Sequence, residues 1–160
     1  MTRKPDRLDQ AIVRLLIEDG RMSSTEIARR IGDVSERSVR YRIDRLIQQD
    51  VIRVSAIVNP KAVGFPVMAD IFIEVEPGQV MDVANRVAKF ECVSYIACST
   101  GDRDLSIQVY ARDNEELYKF VTGVVGNVPG VRKTSTVLVP LVLKDNYEWH
   151  IPNSVCVDPG

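Results

Sequence analysis

The chain has one histidine among its 160 residues, three cysteines, one tryptophan and no long apolar run. The histidine, His150, stands beside Trp149 in a C-terminal stretch, so a histidine-based catalytic triad or metal cluster would rest on a solitary residue. Cys92, Cys98 and Cys156 are odd in number and lack C-x-x-C spacing. That favours reduced cytoplasmic thiols over a disulfide scaffold or a zinc site. Cys98 falls in a predicted strand, where packing is expected of it rather than nucleophilic attack. Glycines are scattered singly, and no phosphate-cradling loop or dinucleotide fingerprint occurs. No apolar run approaches the roughly 18 residues of a membrane span, and the polar start Met1-Thr2-Arg3-Lys4-Pro5-Asp6 does not read as a signal peptide. Neither an enzyme, a cofactor, a metal site nor a membrane role is expected.

Charge is nearly balanced, at a formal net of -1, but unevenly spread. Through Val58 there are 12 Lys+Arg against 9 Asp+Glu, and the remainder has 9 against 13. The first part is modestly basic and the second acidic. Taken whole, this charge argues against indiscriminate nucleic-acid binding. Specific binding would need well-placed contacts and two copies of the basic part on one site.

Ser24 to Gln49 organises the basic part. T-E-I-A-R-R-I, closed by Gly32, reads as one short helix with Ile27, Ala28 and Ile31 on its apolar face. S-V-R-Y-R-I-D-R-L-I-Q-Q reads as a second, with Ser35 as N-cap and Val39, Ile43, Leu46 and Ile47 turned inward. Its other side presents Glu36, Arg37, Arg40, Tyr41 and Asp44. A short helix buried along one side, with arginines and an aromatic on the other, suits the DNA major groove, although a plain helical hairpin would also have a polar face. Upstream, Leu8, Ile12, Leu15 and Leu16 at helical spacing supply a third helix, begun by Asp6 or Asp9 and ended at Gly20. Met22 precedes a cap at Ser23 or Ser24, where a hydrophobic staple is expected.

After Gln49, Ile52, Val54, Ala56 and Val58 alternate with Arg53, Ser55 and Ile57. This predicts a strand, either a short wing or a connector pairing with a second chain, ended by Asn59-Pro60. The later rhythm is strand (Val67 to Val75), helix (Val80 to Phe90), strand (Val93 to Ser99), strand (Asp104 to Ala111), helix, and a last strand or pair of strands (Val131 to Val142). Asp113 with Glu116 forms a capping box ahead of the second helix, which buries Leu117, Phe120, Val121, Val124 and Val125. This order is solved most simply by a four-stranded antiparallel sheet with both helices on one face, the ferredoxin-like βαββαβ plan. The fold class is therefore α+β with two domains, a (winged) helix-turn-helix followed by the sheet domain. The expected boundaries are 1–52 for DNA binding, 53–60 for a β linker, 61–144 for the sheet domain and 145–160 for a tail. Ile71, Ile73, Val109, Val137 and Val139 are expected to be shared between both sheet faces. The face without helices then asks for a second sheet and a dimer, unless Phe65 and the tail cover it.

The turn Gly101-Asp102-Arg103-Asp104 follows the second sheet strand. Its carboxylates and arginine could hold a zwitterion beside an oligomer surface, and equally such residues simply make turns.

Several stretches, in this order and spacing, resemble one family. They are L-D-Q-A-I-V-R-L-L at Leu8 to Leu16, G-R-M-S at Gly20 to Ser23, E-I-A-R-R-I-G at Glu26 to Gly32 and S-V-R-Y-R-I-D-R-L at Ser38 to Leu46. N-P-K-A-V-G at Asn59 to Gly64, G-D-R-D at Gly101 to Asp104 and P-G-V-R-K-T-S-T at Pro129 to Thr136 complete the set. The chain is similar, from about Leu8 to Lys144, to the Lrp/AsnC or feast/famine transcriptional regulators. The resemblance implies a homodimer, often built up to tetramers or octamers, that binds double-stranded DNA and takes a small effector, typically an amino acid. It implies DNA contacts by Arg37, Arg40 and Tyr41, with Ser35 and Ser38 near phosphate and Arg42 and Arg45 as salt-bridge or phosphate residues. It implies an effector site between dimers at Gly101, Asp102, Arg103 and Asp104, with Thr134 and Thr136 on the last strand. Arg103 replaces an aromatic often found in this turn, and Asp50 replaces a glycine that commonly follows the recognition helix. Tyr147, Trp149 and Ile151 of the longer tail either dock on a neighbouring subunit or lack fixed structure. The expected function is a sequence-specific, effector-responsive transcriptional regulator; the alternative is a constitutive architectural DNA-binding protein whose sheet domain only oligomerises.

Overall fold

Asp6 starts the first helix by reciprocal capping. Its carboxylate accepts the Asp9 N–H at 2.9 Å, and the Asp9 carboxylate accepts the Asp6 N–H at 3.0 Å, which satisfies two donors that a helix start otherwise leaves open. A computed structural model describes residues 4–156 of the chain, and what was expected of 1–3 and 157–160 lies outside the described residues. The described residues form two compact units: those up to Ile57 together with those from Leu143 onward, and Val58–Val142.

In the first unit, α1 (Arg7–Glu18), α2 (Ser24–Ile31) and α3 (Glu36–Gln48) pack around Ile12, Ile27 and Val39, each with no exposed surface. Ser23 caps α2 and Ser35 caps α3 through their side-chain oxygens. Leu8, Leu15, Leu16, Met22, Ala28, Ile31, Val34 and Ile43 close around that centre. Burying side chains of this size contributes about 1.5–3 kcal/mol each, so three short helices that would be marginal alone hold one another. Ile47, expected inside, is instead exposed.

Past α3, Asp50 takes a left-handed φ of 53° and the Val51 N–H returns to the Leu46 carbonyl at 2.9 Å. Asp50 thus performs the turn that glycine performs most easily. The strand expected over 51–58 is not formed. Val54, Ile57 and Val58 are exposed, and β-forming residues without a partner strand leave their hydrogen bonds to water. No wing therefore accompanies these three helices among the described residues. The tail, expected as a separate segment, belongs with the first unit.

The second unit contains β1 (Val67–Val75), α4 (Val80–Val87), β2 (Val93–Cys98), β3 (Leu105–Ala111), α5 (Asn114–Lys119) and β4 (Val131–Leu138). The sheet runs β2-β3-β1-β4 with every neighbour antiparallel, which is the expected ferredoxin-like order. Strand alternation puts Ala69, Ile71, Ile73 and Val75 of β1 and Leu105, Ile107, Val109 and Ala111 of β3 on one face. All eight are buried with Val83, Ala84 and Val87 of α4 and Leu117 and Val125. Asp70, Phe72, Ser106 and Gln108 alternate with them onto the other face, each half-buried. Ile71, Ile73 and Val109 are thus on the helix side, whereas Val137, opposite Asp70, is on the other, so the set is shared between the faces as expected, and the face without helices is mixed in polarity rather than bare apolar. The capping box at Asp113 is half realised: Asp113 accepts the Glu116 N–H at 2.7 Å, while the Glu116 carboxylate takes the Arg112 N–H at 2.6 Å and the Arg112 guanidinium.

Candidate nucleic-acid interface and effector site

Helical geometry sorts the arginines of α3 by direction. Arg37, Arg40 and Tyr41 lie on its outer side and are exposed. Arg40 pairs with Glu36 one turn back at 2.6 Å, both side chains open to water, so the pair is readily exchanged for another partner. Arg37 has no ion pair among the described residues. Ser35 holds the helix start, its hydroxyl accepting the Ser38 N–H at 3.2 Å. The first turn of α3 is therefore capped at its tip and polar on its outer side.

Arg42 and Arg45 point the other way. The Arg42 guanidinium donates to both carboxylate oxygens of Asp6, at 2.8 and 2.7 Å, and to Asp9 at 2.8 Å. Arg45 donates to Asp9 at 2.5 Å. The two carboxylates are essentially buried, at 2% and 0% relative exposure. Burial alone would raise the Asp6 pKa, but the Arg42 hydrogen bond and charge, with the backbone N–H groups of Asp9 and Leu8, outweigh it and hold the carboxyl below 3.8. Burial likewise opposes the charge of Arg42, and Asp6 and Asp9 more than restore it. Of the two roles open to Arg42 and Arg45, the structure shows the salt bridge, to α1, and neither guanidinium is turned outward to phosphate.

This cluster went unrecognised in the sequence, yet it had a signal. D-x-x-D at Asp6 and Asp9 and R-x-x-R at Arg42 and Arg45 each place two like charges on one helix face. Two matching doublets on helices that must pack together are a pairing instruction.

The residues nominated for an effector do not converge within the chain. Gly101, Asp102 and Arg103 are exposed in the β2–β3 turn. The Arg103 guanidinium lies 4.8 Å from the centre of the Phe72 ring, a cation–π contact on the face without helices. Asp104 is occupied structurally: its carboxylate accepts the Val75 N–H at 2.7 Å, and its own N–H donates to the Ile73 carbonyl at 3.0 Å. Thr134 and Thr136 stand opposite Ile73 and Ile71 in the β1–β4 register and so share the helix-side face. Arg103 and the two threonines are on opposite faces of the sheet.

The Cys92 thiol is pushed up from its usual pKa by burial, and the carboxylates of Glu116 and Glu91 add to the shift, which makes it a weak nucleophile. No group of three or more His, Cys, Asp or Glu able to hold a metal ion is found among the described residues. No described helix is long and apolar enough to cross a membrane.

Two family models match the chain in this order. An AsnC-type helix-turn-helix domain covers residues 6–47, and an Lrp/AsnC ligand binding domain covers residues 68–149. An HTH-type transcriptional regulator of Pyrococcus abyssi is 42% identical over 143 residues, spanning 89% of this chain and 90% of that protein. The HTH-type transcriptional regulator FL11 of the same organism is 35% identical over 147 residues, spanning 91% of this chain and 96% of its own. A Neisseria meningitidis transcriptional regulator, NMB0573, solved as an L-Met complex, shares the fold with a TM-score of 0.80 at 22% identity, over 88% of this chain and 92% of that one.

Proposed function

Because the chain belongs to the Lrp/AsnC family of transcriptional regulators, we propose that it reads specific DNA sites with the outer side of α3 and that a small effector, an amino acid, modulates its assembly or DNA affinity in the cytoplasm. The observation that carries the DNA reading is the division of α3. Arg42 and Arg45 anchor it to α1, and Arg37, Arg40 and Tyr41 are left outward at the capped start of the helix. Arginine recognises guanine bidentately and an aromatic ring can meet a thymine methyl in the major groove. Ser35 and Ser38 at the helix start lie where a phosphate is favoured by the backbone N–H groups.

Self-association supplies the second copy that a modest charge excess requires. Ile57, Val58, Leu138, Leu141, Val142 and Leu143 are exposed apolar side chains, and β4, which contains Leu138, is an edge strand, an arrangement that invites another chain. A two-fold homodimer matches roughly palindromic sites with half-sites about one helical turn, or a multiple of it, apart, and dimers of this kind can assemble into tetramers or octamers.

The effector reading draws on the ligand-binding family domain and on the L-Met complex of the Neisseria relative. Gly101, Asp102 and Arg103, with Thr134 and Thr136, are its proposed contacts, completed between copies of the chain. The architectural alternative draws on one observation: an Asp104 carboxylate oxygen already accepts the Val75 N–H, which gives Asp104 a structural role in this turn without any ligand.

Selection of bound fragments from genomic DNA at physiological salt, with and without a pool of amino acids, separates the readings. Recovery of a few two-fold-symmetric sites, altered by the pool, is expected. Recovery without sequence preference and unchanged by the pool would leave the architectural reading.

A further inference from the structure

Gln10 lies on the flank of α1 opposite Leu8, Ile12 and Leu15, the side that faces the three-helix core. A three-helix domain by itself would leave that flank wet. Gln10 is nevertheless only 8% exposed, and Val13, one turn on and outside the core cluster, only 6%. The Gln10 carboxamide donates both of its N–H groups to the C-terminal segment, one to the Ile151 carbonyl and one to the Asn153 side-chain oxygen, each at 2.7 Å. A carboxamide has only those two donors, so its donor capacity is saturated by chain more than 140 residues away.

The segment arrives locally folded. Short 3₁₀ turns cover Asn146–Glu148 and Asn153–Val155, and Pro152 between them fixes an extended backbone. The Cys156 thiol turns back toward the Pro152 carbonyl. The helix-turn-helix family match includes Gln10, whereas the ligand-domain match stops at residue 149, before Ile151 and Asn153. Gln10 also sits one turn from Asp6 and directly after Asp9, which grip Arg42 and Arg45 of α3.

We propose that the C-terminal segment is a detachable strap on α1, and that its attachment through Gln10 sets how firmly α1, and through the Asp6/Asp9–Arg42/Arg45 cluster α3, is held. The chain leaves the first unit at Ile57 and returns to it at Leu143, so the strap is continuous in sequence with the segment that follows β4. The strap is a property of the protein without DNA and stands whether or not α3 reads a specific sequence.

Hydrogen exchange on the full chain tests it, with Gln10→Glu and Gln10→Leu as the informative variants. Glutamate keeps the size of the side chain and sets a carboxylate against two acceptors; leucine removes both donors and remains a good helix former. In both, amide protection across residues 7–18 and 36–48 is expected to fall about tenfold while 67–75 and 105–111 keep theirs. The fluorescence anisotropy of Trp149, the only tryptophan, is expected to fall with it. A chain ending after Lys144 should match the Gln10 variants in α1 and α3. Unchanged protection of α1 in both Gln10 variants, or an equal loss in β1 and β3, would overturn the strap.

Discussion

Arg42 brings a positive charge to the inner side of α3, where it must be neutralised, and two buried carboxylates do so. Substituting Arg42 by Ala leaves Asp6 and Asp9 buried without it, and a loss of about 3–5 kcal/mol of stability is expected by denaturant unfolding. Arg40 is the contrast. Its pair with Glu36 is exposed, so Arg40→Ala should leave the melting temperature nearly unchanged and lower affinity for a mapped site by about 1–3 kcal/mol. Asp6 also makes stability depend on pH. Folding holds its pKa below 3.8, so the unfolded chain takes up the proton first. Its contribution is whole above that pH and disappears as the pH falls through the lower, folded value. Asp6→Asn should therefore flatten the acid limb of the stability–pH profile. At this scale the sequence was partly legible. The outward set Arg37, Arg40 and Tyr41 follows from helical spacing. Whether Arg42 and Arg45 meet phosphate or carboxylate depends on which residues α1 brings opposite, and spacing within α3 contains no record of that.

At the scale of elements, caps and turns decide where helices begin and strands end. Asp113 accepts the Glu116 N–H at the start of α5, and Asp113→Ala should cost about 1 kcal/mol. Asp50 holds a φ of 53° after α3; Asp50→Gly relieves a conformation that costs an L-residue about 1 kcal/mol and should raise the melting temperature. The strands β1 to β4 were readable because alternation reports a half-buried sheet directly. Residues 51–58 alternate just as well and form no strand in the isolated chain, since alternation describes one strand and pairing requires two. That Ile71, Ile73, Val109 and Val137 divide between the two faces was legible from their number, but not which side each takes. Whole-strand apolarity counts residues, and register decides which side they occupy.

For the whole molecule, the chain order of a basic three-helix unit and an acidic sheet unit was visible in composition and rhythm. The return of the tail to α1 was not, because Gln10, Ile151 and Asn153 are ordinary residues separated by most of the chain. The residues proposed to contact an effector were legible only as separate motifs; Arg103 and Thr134 lie on opposite sheet faces, so within one chain they do not converge. Non-specific DNA binding should weaken linearly on a log–log plot against salt as Lys and Arg release counterions.

The central claim is that the outer side of α3 reads sequence, and competition binding of the full chain to a selected site and to a shuffled duplex tests it most directly. The wild-type chain should prefer its site by about 10³-fold or more. The variant with Arg37→Ala and Arg40→Ala together should lose most of that preference while keeping its melting temperature and its salt-dependent non-specific binding. An unchanged preference in that variant would contradict the claim and move sequence recognition off this side of α3.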